Sequence, residues 1–201
     1  MLDLYTDYLL SSFNQTTATG LSRMTEGAVS HDKVSRYLNE SEKGSKELWQ
    51  SVKPLIRKHE SEETGCLIFD DSIIEKPYSD ESALITWHYD HSKGRSVKGI
   101  NLLSAFYHNG KNDENEATVI RVPVMYQLIL KTILFCVVKT KKVKRKCETT
   151  KNEYLCQMVG QMIHNQLKFR YVLVPSLRDW FASSANMRFI QKKKNENFYI
   201  L

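Results

Sequence analysis

A mixed α/β sheet behind an all-helical N-terminal segment is the fold class that the sequence predicts. Three observations predict it. Apolar residues recur at helical spacing over the first sixty positions, short apolar runs with turn-rich connections follow, and the last third alternates helix and strand signals. The chain has 201 residues and 23.4 kDa, enough for one domain with its own core and at most a small appendage. Hydrophobic residues make up 41% and charged residues 26%, which excludes wholesale disorder, collagen-like repeats and a disulfide-stapled miniprotein.

Leu4, Tyr8, Leu9 and Phe13 mark a first amphipathic helix. A second, over 18–26, leads to Gly27, and Ser30 caps a third over 31–39 with Asp32 near its positive end. Two short helices joined through a glycine outline a helix-turn-helix. Its second helix would offer His31, Lys33, Ser35 and Arg36 to phosphates or base edges; a plain helical hairpin is the alternative. A fourth helix, 46–58, carries Leu48, Trp49, Val52, Leu55 and Ile56 on one face.

Beyond a polar hinge at 60–64, the run Gly65-Cys66-Leu67-Ile68-Phe69 reads as a buried strand leading into an acidic loop at Asp70-Asp71-Ser72. Residues 97–107 and 118–125 are a second and third strand, joined by a loop rich in Asn, Asp, Glu and Gly. Helix and strand both remain open for 127–143. Thr150 opens a helix over 151–168, and 170–174 is a fourth strand. Ser183 or Ser184 caps a further helix to Lys193, and 197–201 begins a last strand. The chain thus divides into a helical region, 1–60, and a sheet region, 61–201, with a basic insert near 139–146.

Charge is unevenly placed. Residues 1–64 and 65–138 each carry −2, whereas 139–201 carry +10. A polyanionic partner and a solvated basic face both account for this asymmetry. Lys139, Lys141, Lys142, Lys144, Arg145 and Lys146 form its densest tract, and Arg188, Lys192, Lys193 and Lys194 extend it. The longest apolar run, 128–138, is interrupted by Lys131 and falls short of the ~20 residues that span a bilayer. The start, Met1-Leu2-Asp3-Leu4, lacks a basic leader, so a soluble cytoplasmic protein with no membrane partner is expected. Cys66, Cys136, Cys147 and Cys156 have no zinc-type spacing and read as reduced thiols. No phosphate-binding glycine motif is present.

Two acidic positions stand out. Asp70 and Asp71 follow a hydrophobic strand, and alternation lets only one of them face a shared ion. Asp179 lies just past the fourth strand. Acids at the carboxyl ends of neighbouring strands can share Mg²⁺ ions ~3.5–4 Å apart and direct in-line attack on a phosphodiester. An acidic turn capping a strand is the competing reading of Asp70-Asp71. In Trp87-His88-Tyr89-Asp90-His91, alternation separates His88 and Asp90 from Tyr89 and His91, so no common ligand face arises and a structural or substrate-facing loop is expected.

Several stretches together resemble the transposases of bacterial insertion sequences in the DDE superfamily, of the insertion-sequence-four type. They are Leu67 to Tyr78, Trp87 to Gly94, Lys98 to Leu103, Lys144-Arg145-Lys146 with Thr150 to Glu153, Leu167 to Leu173 and Trp180 to Met187. Leu21-Ser22-Arg23 and Val29 to Asp32 resemble the family's N-terminal DNA-binding helices. The resemblance implies a ribonuclease H-like core, here incomplete. It also implies Mg²⁺ (or Mn²⁺)-dependent strand cleavage and transfer on double-stranded DNA at terminal inverted repeats, by a nucleoid-associated protein working as a homodimer or with a full-length transposase. The first catalytic and metal-binding acid falls at Asp70-Asp71, with Asp71 favoured because it precedes the Ser. Asp179 is the only counterpart of the second, although extra residues separate it from the strand and the Ser that follows this acid in the family is gone, Trp180 coming directly after it. The third, a helical Glu, finds no counterpart; Glu196 comes too soon. A C-terminally truncated, catalytically impaired transposase is the expectation, with a non-catalytic DNA-binding fragment or a stand-alone Mg²⁺ nuclease as alternatives. The DNA contacts implied are Lys33, Arg36, the 139–146 cations, Arg188, Lys192 and Lys193.

Overall fold

The computed structural model describes residues 1–13, 16–40, 44–111, 119–138, 141–174 and 199–200, the last two and Lys142 by backbone alone. The chain forms two compact units, Met1–Gly44 and Ser45–Leu201. In the first, α1 (Leu2–Ser11), α2 (Ala18–Met24) and α3 (His31–Glu40) close on a small core of Tyr8, Leu21 and Val34. Tyr8 ties α1 to the start of α2, since its hydroxyl donates to Thr17 O and accepts from Thr17 N (3.2 and 3.0 Å). Thr17 in turn caps α2 by accepting from Gly20 N. Between α2 and α3 the chain turns through Gly27 at φ +83°, a left-handed conformation that favours glycine. Ser30 accepts from Lys33 N at the start of α3, the capping that its sequence predicts.

The second unit opens with α4 (Ser45–His59). The sequence places this helix among the N-terminal helices of a region ending at 60, but it packs on the sheet instead. Its Trp49 and Ile56 enter the sheet's core, and Ser45 Oγ bonds both backbone groups of Tyr126. The unit boundary therefore falls between Gly44 and Ser45. An amphipathic helix goes where its apolar face finds a partner, and the sheet offers the larger one.

The strands of the main sheet are β1 (Cys66–Glu75), β2 (Thr86–Asp90), β3 (Arg95–His108), β4 (Arg121–Leu128), β7 (Tyr171–Leu173) and β8 (Tyr199–Ile200). They run in the order β2-β3-β1-β7-β8, with β4 also paired to β3. β1, β2, β3 and β4 pair antiparallel, whereas β7 joins β1 and β8 joins β7 in parallel. This is the mixed sheet that the sequence predicts. Leu67, Phe69, Leu103, Ala105, Tyr107 and Val172 line the covered face and meet Leu155, Met158, Val159 and Met162 of α5 (Lys151–His164). Each fully buried Leu, Phe or Met contributes about 1.5–3 kcal/mol. Thr150 and Glu153 form a reciprocal capping box that fixes where α5 begins.

Three local expectations are corrected, and one open assignment is resolved. Asp70 and Asp71 do not open a loop, because β1 runs on through them, held by β3 along its whole length. Residues 86–90 are strand β2, paired with β3 from Thr86↔Gly99 to Asp90↔Arg95, and not a loop. Helix α5 stops at His164 rather than 168, since Gln166 turns left-handed at φ 57° and Leu167 N donates back to Met162 O. The segment 127–143, open between helix and strand in the sequence, completes β4 and forms β5 (Ile133–Val137). β5 then pairs with β6 (Lys142–Lys146) in a separate hairpin. No helix among the described residues is long and apolar enough to cross a membrane.

Candidate active site

Alternation along β1 sends Leu67, Phe69 and Asp71 to the covered face, and Asp70 to the other. The surroundings of the two acids differ accordingly. Asp70 is exposed and accepts from Ser72 Oγ at 2.9 Å. The Asp71 side chain is only 14% exposed and accepts from Lys151 Nζ at 2.5 Å through Oδ2. Its other oxygen, Oδ1, is buried without a hydrogen-bond partner. β7 pairs with β1 only as far as Ile68↔Leu173, so Asp71 lies three residues beyond the carboxyl end of the parallel pair. Crevices at such strand ends are where open α/β sheets hold ligands.

Further polar groups share this face. Asn101, opposite Ile73 and diagonal to Asp71, is fully buried, and neither side-chain polar atom has a partner. Thr86 and His88 are buried on β2, with Thr86 Oγ1 and His88 Nε2 2.8 Å apart. Burial pushes the His88 imidazole down to about 4, and the positive charges of Lys131 and Lys151 push it the same way. Burial also lowers the Lys131 ammonium. Its Nζ donates to Trp87 O on the edge strand. An open cleft of about 500 Å³ beside β2 is lined by Trp87, Tyr89, Lys131, Lys144 and Arg145 among others.

The sequence-predicted positions fall out as follows. Lys33 and Arg36 are exposed on α3, in the N-terminal unit. Lys141, Lys144 and Lys146 are exposed on the β5–β6 hairpin, and Arg145 pairs with Glu81 at 3.7 Å. The backbone of Lys142 begins β6. Asp179, Lys139, Arg188, Lys192 and Lys193 lie outside the described residues, as does Glu196. The alternation expected over Trp87 to Asp90 is present, with His88 buried and Tyr89 exposed.

A family model described as DDE superfamily endonuclease matches residues 1–198. The chain belongs to that superfamily. Its mixed α/β sheet, with a helical region before it, is of the ribonuclease H-like kind. Two solved structures are similar to it at low level. "Crystal structure of the Mos1 Strand Transfer Complex" has 16% identity and a TM-score of 0.28, covering 100% of this chain and 56% of that one. "Crystal structure of a pre-cleavage Mos1 transpososome" has 13% identity and a TM-score of 0.29, covering 96% and 56%. The chain thus spans little more than half the length of either. No curated protein matches it.

DDE endonucleases imply a divalent metal, and the donor atoms present can be tested for fit. Asp71 fits: a buried carboxylate oxygen without a partner is a hard donor left open, and Mg²⁺ takes only one or two protein carboxylates beside water and phosphate oxygens. Among the described residues no group of three His, Cys, Asp or Glu gathers. Lys151 and Asn101 are not singled out by the sequence. A polar Asn at an inward position of an alternating strand is the available signal for one; for Lys151 the sequence signals only the start of a helix.

Proposed function

We propose that this DDE endonuclease is a transposase of the insertion-sequence type, acting in the cytoplasm on nucleoid DNA at terminal inverted repeats. One observation carries the proposal. Asp71 stands on the central strand, three residues beyond the carboxyl end of the parallel pair, with one oxygen buried and unpartnered. In this reading Asp71 is the first metal-binding carboxylate and Asp179 the second, with Asp70 directed away from the ion. Bound Mg²⁺ or Mn²⁺ supplies neutralisation of the phosphoryl charge and activation of the attacking oxygen. The chain's own residues position the duplex. Exposed Lys141, Lys144 and Lys146 hold backbone phosphates, as do Lys139, Lys142, Arg145, Arg188, Lys192 and Lys193, and Lys33 and Arg36 of α3 reach the DNA from the N-terminal unit. No third acid gathers with Asp71 among the described residues; without one strand cleavage is weak, and a full-length transposase would supply it.

The test is Mg²⁺-dependent nicking of a duplex ending in the terminal repeat, by the chain alone and with the longer transposase. Nicking that disappears in Asp71→Asn supports the proposal. Nicking that persists in Asp71→Asn contradicts it.

A further inference from the structure

The contact between Lys151 and Asp71 is not that of a finished structural ion pair. A buried carboxylate kept for stability normally has both oxygens satisfied, because each one left bare retains its desolvation penalty. Here Lys151 Nζ meets Oδ2 alone, and Oδ1 is left buried with no partner. The ammonium is also placed with unusual definition. Lys151 is the first residue of α5, whose start is fixed by the Thr150–Glu153 capping box, and it reaches across 80 positions of sequence to mid-strand β1. Its own side chain is 30% exposed, so it can leave toward water without unpacking the core. The fully buried residues of α5 are Leu155, Met158, Val159 and Met162, and Lys151 is not among them.

We propose that Lys151 is a displaceable counter-ion of Asp71, occupying the carboxylate until a divalent cation replaces it and thereby setting the affinity of the site for metal. The proposal rests on Asp71 being a metal ligand. Lys151 neutralises the carboxylate when no metal is present, and its positive charge opposes the arriving cation. Removing that charge therefore strengthens metal binding while weakening the metal-free fold. A purely structural lysine has the opposite signature, since its loss disorders the carboxylate and weakens any binding.

The experiment titrates Mn²⁺ into the 201-residue chain and follows the paramagnetic signal of the free ion. Lys151→Met and Lys151→Gln are expected to bind Mn²⁺ about tenfold more tightly than the unaltered chain. Lys151→Arg, which keeps the charge, stays close to it. Melting without metal falls in Lys151→Met and recovers when Mn²⁺ is added. Lys151→Gln retains a donor for Asp71 Oδ2 and keeps the comparison available if the Met variant folds only with metal. Unchanged or weaker binding in Lys151→Gln, with Asp71→Asn abolishing it, overturns the inference and leaves the metal reading standing. Binding that survives intact in Asp71→Asn overturns the metal reading itself.

Discussion

Thr86 Oγ1 and His88 Nε2 lie 2.8 Å apart on the covered side of β2, both buried at the edge of the polar group that contains Asp71. His88 is only 6% exposed, and its pKa is lowered from 6.5 to about 4. The imidazole is thus neutral in the folded protein, while the unfolded chain takes up a proton below about 6.5. Stability is full above that value and declines as pH falls toward 4. The loss at about pH 4.5 is about 2–3 kcal/mol. Urea unfolding near pH 7 and about pH 4.5 checks it: His88→Gln should lose distinctly less stability between the two. An identical loss in the variant assigns the pH dependence to other groups.

Gly65 joins the parallel pair at its start. Its carbonyl accepts from Arg170 N and Tyr171 N, and a Cβ there would stand 2.4 Å from Ser61 O and 2.8 Å from Lys168 O. These are backbone atoms, which have little freedom to move aside. Gly65→Ala is expected to cost about 1–3 kcal/mol, read as a lower urea midpoint. A midpoint within error of the unaltered chain would mean that the β1–β7 junction is looser than this packing.

The β5–β6 hairpin presents Lys141, Lys144 and Lys146 to solvent, and neutralising all three should weaken duplex binding and flatten its salt dependence. For every phosphate no longer neutralised, the slope of log affinity against log salt becomes shallower by about 0.9. Binding measured at several salt concentrations decides it. An unchanged slope removes the hairpin from the DNA interface.

Much of this architecture is legible in the sequence because the buried strands leave short apolar runs with turn-rich connections. The runs around Leu67 to Phe69 and Leu102 to Phe106 mark two strands, and only the fold decides that Leu67, Phe69, Leu103, Ala105 and Tyr107 take the covered face. Asp70 and Asp71 end the first run with residues that disfavour strands, so the chain reads as leaving the sheet. What keeps them in it is pairing with Ser104 and Leu103 some thirty residues on, which local propensity does not encode. The same limit applies to α4. Trp49 and Ile56 mark an apolar face, but which surface receives it is decided by the sheet. Lys151 is the sharpest case: a charge at a helix start looks like ordinary solvent exposure until the fold brings β1 beneath it.

The proposed chemistry depends above all on which of two adjacent carboxylates would face a metal ion. Mn²⁺ titration of Asp70→Asn and Asp71→Asn, each verified as folded by circular dichroism, tests it directly. Loss of Mn²⁺ binding in Asp71→Asn with near-normal binding in Asp70→Asn is the predicted result. Loss in Asp70→Asn with binding preserved in Asp71→Asn would contradict it.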